Sequence, residues 1–447
     1  MTSIMDNFYN NLERIYNSEK TNIEKSRLAV KTINEFLYTT YDELGEIVVF
    51  DESYKYFSEF HKFWHLNYKE ILDLKIDEDV CEKVAEVLHD VFLRTKGRVF
   101  TEVWNTQGLS NEEVCRIRLL TANQDFRGSR NFQELAQIYK NDPLIFDENN
   151  IQDSPEDFVN NINTALLSQN DKRINFAKNI CKFLIEHKST PYSIISSFNN
   201  DVALFRKELI NSNSGYGNKK ADMFIRDMVV LGIWENVINF DKINVASDIN
   251  TVRVALRTGI LKSAIPLVSS FLDIFCYQYE YVDEMSALAW RKVWEKWNLL
   301  YPAENIKSPC LLDYFIYNVV GKQLCREILY YYTCENGHNF KWHSARKKYC
   351  DVCHKEGNRN ILAKCIKKTL PCDDPKGSIA IQQTPFVISN VASPNYEQCP
   401  FYRICLENGN RNLMPPKSIS ILGQTGWSSA YSEKGSGGGG LMALLLR

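Results

Sequence analysis

The sequence predicts a mainly α-helical protein with a small cysteine-rich, metal-binding region toward its C-terminus. Three observations predict it. Apolar residues recur at i, i+3 and i+4 over much of the chain before residue 300, and few segments there alternate with period two. Helix-start signals precede several of these runs. Nine of the 13 cysteines fall between Cys310 and Cys405, where glycine, proline and basic residues also become frequent.

The 447 residues suffice for two or three domains. Hydrophobic residues make up 44% and charged residues 24%, an ordinary globular balance. The formal net charge is -2, so any nucleic-acid contact must come from local patches. The opening "MTSIMDNFYNN" has no apolar core of a secretory signal. The most apolar stretch, Ile265 to Tyr277, is too short and polar to span a bilayer. A cytoplasmic chain acting as a monomer, with no membrane partner, is the expectation.

"TNIEKSRLAVKTINEFL" and "DEDVCEKVAEVLHDVFLRT" carry the helical period. The aromatic-rich "YKYFSEFHKFWHLNYKEIL" between them is expected to be a further helix with aromatics in the core. His61 and His65 within it have metal-ligand spacing but no third ligand nearby, so they read as packing or surface residues. "SNEEVCRIRLLTA" begins with a Ser110 cap and an acidic first turn. "SPEDFVNNINTALLS" opens with Ser154, Pro155 and two acids. "YKNDPLIFDENNIQD" reads as loop, and "LTANQDFRGSRNF" as a polar inter-helix loop in which Gln124 and Phe126 are candidate pocket residues.

Within "NSNSGYGNKKADMFIRDM" a helix ends in Asn and Ser and a second begins after Gly215-Tyr216-Gly217. Two helices joined by a tight glycine turn form a helix–hairpin–helix. The two glycines allow positive φ and close approach of another backbone. Exposed N–H groups of such a turn, with the following helix N-terminus, can hold a phosphate without reading sequence. Lys219 falls in the first turn of the second helix, where the helix dipole and Lys220 both oppose its charge and favour the neutral, nucleophilic amine. Lys220 projects about 100° away around the helix, so only one of the two faces a given site. A plain surface turn is the simpler reading.

"GYGNKKAD" resembles the hairpin of the helix–hairpin–helix DNA glycosylase superfamily, Gly-x-Gly-x-Lys-x-Ala-Asp or close to it. The superfamily carries an aspartate downstream at the start of a later helix, and here "NVASDINTVRVALRTGI" supplies Asp248, with Asn250 where histidine is frequent. The 29 residues from Lys219 to Asp248 resemble the archaeal 8-oxoguanine branch more than other members. The resemblance implies a glycosylase-like helical bundle acting on double-stranded DNA. Lys219 would be the Schiff-base nucleophile and Asp248 the carboxylate supporting base departure. Gly215, Tyr216, Gly217 and Lys220 would contact DNA. An abasic-site lyase step would follow. Oxidised guanine is the substrate implied by that branch, and a hypermodified cytosine of phage DNA, with a phage-defence role, is a freer alternative. Asp248 acting only as a helix cap, and a DNA-binding or damage-sensing protein without the chemistry, remain as rivals.

"CENGHNFKWHSARKKYCDVC" resembles zinc ribbons, with Cys334, His338, Cys350 and Cys353 as four tetrahedral ligands. Cys365, Cys372, Cys399 and Cys405 have two of the spacings of an iron–sulfur loop but lack its middle Cys-x2-Cys. A [4Fe–4S] cluster, a second zinc or no metal are the alternatives there. Cys310 and Cys325 read as core, with an alternate ligand role open. From Lys341 to Lys368 nine Lys/Arg face two Asp/Glu, a composition suited to phosphate contact and equally to a solvated surface. A zinc-ribbon adaptor whose helical part is only scaffold is a third reading. The expected divisions are 1–95 (helical), 96–305 (glycosylase-like), 306–425 (cysteine-rich) and 426–447, a glycine-rich tail expected to be flexible.

Overall fold

The computed structural model describes the N-terminal helix, most of residues 66–368 and most of 399–405. Much of 21–65 and 369–398, together with 102–104, 125–129, 164–169, 264–278, 326–329, 343–348 and 406–447, lies outside the described residues. Phe126, His61, His65, Cys372, the apolar stretch Ile265 to Tyr277 and the glycine-rich tail therefore lie outside them.

The helices in chain order are α1 (Thr2–Tyr16), α2 (Glu78–Thr95), α3 (Arg98–Thr101), α4 (Asn111–Thr121), α5 (Phe132–Asn141), α6 (Glu148–Asp153), α7 (Pro155–Ile162), α8 (Asn170–Glu186), α9 (Val202–Asn211), α10 (Asn218–Val230), α11 (Ile249–Thr258), α12 (Tyr279–Leu300) and α13 (Asp351–Lys355). The strands are short: β1 (Glu46–Val49), β2 (Glu52–Lys55), β3 (Lys75–Ile76), β4 (Leu261–Lys262), β5 (Tyr330–Cys334), β6 (Asn339–Trp342), β7 (Ala363–Lys368), β8 (Ser378–Ile381) and β9 (Thr384–Val387). The chain is mainly helical, as its periodicity predicts. It separates into two discontinuous units: Met1–Val87 with Ile249–Ser286 and Ile316–Arg447, and Leu88–Asp248 with Ala287–Phe315. The sequence reading places these pieces in consecutive domains.

In the unit Leu88–Asp248 with Ala287–Phe315, local chemistry sets the helix ends. Ser110 caps α4 in a reciprocal capping box with Glu113, and Asn131 does the same for α5 with Glu134. The stretch from Tyr139 to Asp153, expected as loop, holds a 3₁₀ turn (Pro143–Phe146) and α6. Asp142 and Asp147 accept the first free backbone N–H groups of each, so two side-chain caps support helices too short for a periodicity signal. α8 packs on α6 and α7, and α9 on α10. The α9–α10 pair closes on Phe205, Phe224 and Trp234, whose rings meet edge to face at 5.1–5.4 Å for both Trp234 contacts. Ala221, Phe224, Ile225 and Met228 are all buried, the apolar face read from the sequence.

The other unit corrects the expectation of an all-helical chain before residue 300. β1 and β2 pair antiparallel, Val49 opposite Glu52, and β3 pairs with β4. The helix expected from Tyr54 onward therefore starts in a strand, and helix is present from Leu66. The β-branched run Ile47-Val48-Val49 favours extended backbone, a preference that a search for helical period passes over. Nearer the C-terminus β5, β6 and β7 form an antiparallel sheet in the order β6-β5-β7.

Candidate active site and metal-binding centre

The glycine turn is anchored from beneath. The Tyr216 hydroxyl donates to the Leu119 carbonyl at 2.7 Å, and Tyr216 is only 3% exposed. Asn123 Nδ2 donates to the Ser214 carbonyl and Lys220 Nζ donates to the Asn123 carbonyl, both at 2.8 Å. The Tyr216 and Lys220 side chains, expected at DNA, are thus turned to the end of α4. A phenol buries its ring while its hydroxyl finds a carbonyl, and the amine meets the free acceptors of a helix C-terminus.

Gly215 has φ +82, and a Cβ there would lie 2.5 Å from the Phe176 ring. Gly217 differs from expectation. Its φ of -97 is open to any residue, and a Cβ there would meet nothing within 4 Å. Gly215→Ala should therefore lower the thermal midpoint, by about 1–3 kcal/mol of stability, through left-handed strain and overpacking. Gly217→Ala should leave it nearly unchanged. Equal melts for the two variants contradict this account.

Lys219 is the second residue of α10 and Asp248 lies one position before α11. The structure brings Lys219 Nζ to 3.7 Å from Asp248 Oδ2. The lysine side chain is 47% exposed and the aspartate 11%. A solvent-facing amine beside a mostly buried carboxylate is an arrangement able to attack and stabilise one reacting carbon.

Asp222, the last residue of "GYGNKKAD", is buried and structural. Both its oxygens accept from Arg206 of α9, one of them from Nη2 at 3.0 Å. This fork ties α9 to α10. Burial pushes the Asp222 carboxyl up to about 6 against the lowering effect of Arg206.

The sequence reading missed a cluster behind Lys219. Arg226 of α10 donates to both Asp227 and Asp313, and Arg118 of α4 donates to Asp227 at 3.1 Å. Asp313 is 4% exposed. Burial raises its carboxyl to about 7, with Arg226 lowering it, Asp248 raising it, Lys219 lowering it and Asp227 raising it. The available signal was a lone acid within "CLLDYFIYNVV", a run otherwise suited to a core. Gln124 is also buried, 1% exposed, and its Nε2 donates to the Arg173 carbonyl at 2.8 Å. With Arg118, Thr121, Arg130 and Asn163 it lines a cavity of ≈ 160 Å³.

Asp222 and Asp313 have a stability consequence. Unfolded carboxyls titrate at about 3.9. Between about pH 4 and about pH 7 the folded chain thus binds more protons than the unfolded one at these two sites, and their contribution to stability falls as pH rises. The urea midpoint should drop between about pH 4 and about pH 7, and Asp313→Asn should flatten that drop. A pH slope identical in the variant contradicts it.

The metal-capable group belongs to the other unit. Cys334 ends β5 and His338 precedes β6. Between them Gly337, at φ +77, donates its N–H to the Cys334 carbonyl, and the Cys334 N–H donates to the His338 carbonyl. Cys350 stands at the N-cap of α13 and Cys353 lies within it. The four ligand atoms lie within 4.8 Å of one another. Cys334 Sγ is 3.8 Å from Cys353 Sγ and 3.6 Å from His338 Nδ1. His338 Nδ1 is 3.2 Å from Cys353 Sγ and 3.9 Å from Cys350 Sγ. Zn–S bonds of about 2.3 Å and Zn–N bonds of about 2.0–2.1 Å imply tetrahedral edges of about 3.6–3.8 Å. This Cys3His group could hold a metal ion, and it is the one such group among the described residues. Asn336 Nδ2 donates to Cys353 Sγ at 3.3 Å, and Glu356 lies 3.8 Å from the outer His338 nitrogen.

Of the second expected cysteine set, Cys372 lies outside the described residues. Cys365 lies in β7, opposite Tyr332. Cys399 lies in the field of Cys325, Cys405 and Arg257, and Arg257 Nη1 donates to Cys325 Sγ at 2.9 Å. Cys310 is buried in the unit that holds Lys219, as expected of a core thiol. Among the described residues no helix is long and apolar enough to cross a membrane.

No family model, curated protein or solved structure matches this chain.

Proposed function

We propose that the protein is a DNA glycosylase with an associated abasic-site lyase step, excising a modified base flipped out of double-stranded DNA. One observation carries the reading: Lys219 Nζ lies 3.7 Å from Asp248 Oδ2 at the start of a helix that follows a glycine turn. Lys219 is the nucleophile toward C1′, and Asp248 stabilises the positive charge that develops on the sugar as the base departs. The backbone of the glycine turn, with the N-terminus of α10, holds a phosphate. Tyr216 and Lys220 support that turn from below. Base flipping is required because C1′ chemistry on a stacked nucleotide is out of reach. Oxidised guanine and a hypermodified cytosine are the substrate classes to try first. Zinc is proposed for the Cys3His group, where the ligand set and spacing suit it, and the basic segment around it as a further DNA contact. The test is borohydride trapping on abasic duplex together with base release from duplexes carrying assorted lesions. Binding with neither adduct nor released base would favour the non-catalytic DNA-binding reading.

A further inference from the structure

Nucleophilic attack needs a neutral amine, and Lys219 Nζ lies 3.7 Å from the Asp248 carboxylate. The proton must go to a group with matched affinity near neutral pH. Asp313 meets the requirement by position. It follows a buried 3₁₀ turn, Pro309–Leu312, and is held by Arg226. Arg226 lies seven residues after Lys219 in α10, about two turns at 3.6 residues per turn, so both residues share one side of the helix. Asp227 is engaged through both oxygens, by Arg226 and by Arg118. Asp313 keeps one oxygen, Oδ1, buried and with no hydrogen-bond partner among the described residues. An open buried acceptor of this kind is costly, and protonation of the carboxyl relieves that cost.

The charged and titratable groups facing Asp313 are Arg226, Asp227 and Lys219 of α10 and Asp248. Cys310 on its own turn interacts with it too and is pushed well up by burial. We infer that Asp313 is a positioning residue that stores the proton Lys219 gives up, so that the amine becomes nucleophilic without a change in the net charge of the buried cluster. The inference rests on the proposed glycosylase reaction. In the step, the Lys219 ammonium loses a proton and the Asp313 carboxylate gains one, with Asp248 beside Nζ as the relay. The Nζ lone pair then forms the bond to C1′ as the C1′–base bond breaks and its electron pair leaves with the base. Asp313 afterwards returns its proton to solvent. The carboxyl value near 7 matches such a store to neutral conditions.

Two measurements on the full chain test this. Borohydride trapping on abasic duplex should rise with pH through about 7 in the natural protein. Asp313→Asn should be about a hundredfold slower at about pH 7 and should recover at high pH, while Asp313→Glu keeps the rise. A spectator carboxylate predicts the opposite, a faster Asn variant, since removing a negative charge frees the amine. A variant profile matching the natural one overturns the inference and leaves the glycosylase reading standing. Absence of trapping by the natural protein at every pH overturns both. The second measurement needs no change at Asp313. In ¹³C-carboxyl spectra of aspartate-labelled protein, one resonance should titrate near 7, higher in Lys219→Ala and lower in Asp248→Asn. A resonance unmoved by either substitution overturns the inference.

Discussion

Lys219→Ala should abolish the borohydride-trapped adduct and slow base release by about a thousandfold or more, since loss of a nucleophile reaches about a millionfold in other covalent enzymes. The fold should survive. Lys219 is half exposed, and truncating it removes an ion pair whose amine is open to solvent. Such a pair contributes about 0–1 kcal/mol, so the thermal midpoint should scarcely move. Asp248→Asn should slow base release by about a hundred- to a thousandfold, the effect of removing one electrostatic stabiliser. It should still form some adduct on a preformed abasic site, where no base has to leave. Lys220→Ala separates the neighbouring amine. Its Nζ is committed to the Asn123 carbonyl, so its loss should lower stability and leave an adduct on Lys219. Peptide mapping of the adduct to Lys220, or trapping that persists in Lys219→Ala, would remove Lys219 from the mechanism.

Removing metal from the Cys3His group should have the largest effect on folding. Structural zinc supplies about 10–16 kcal/mol of apparent binding energy in small zinc domains, and that energy is folding energy. The element it would hold together is small: β5, β6, β7 and the five residues of α13. Among the described residues Cys334, Cys350 and Cys353 form a small buried cluster with Ile361 packed against them. Such a core cannot stand without a staple. Cys353→Ser, or chelation, should release one zinc per chain and expose 330–368 to protease. The Lys219 adduct should be retained, because that residue belongs to the other unit. His338→Cys should keep the metal, a four-thiolate site being as good a tetrahedron. Protein purified with no zinc, or a protease pattern unchanged by chelation, would sink the zinc assignment.

Much of the candidate site was legible because the signals are local. Ser110 with Glu113, and Asn131 with Glu134, cap helices within four residues. A glycine pair before Lys219 marks the hairpin, and Cys-x3-His followed by Cys-x2-Cys marks the knuckle. Each depends on neighbours in sequence, and short-range backbone geometry is encoded there. The mainly helical character and the four-ligand group follow from those patterns alone.

Tertiary structure decided what depends on residues far apart in the chain. Tyr216 faces inward because the Leu119 carbonyl, 97 residues away, accepts a hydrogen bond from its hydroxyl. Arg226 finds Asp313 across 87 residues, and no spacing rule connects them. The glycine turn reads the same whether its tyrosine meets DNA or core. Only packing selects, since burial and hydrogen-bond satisfaction are properties of the assembled environment and not of the residue.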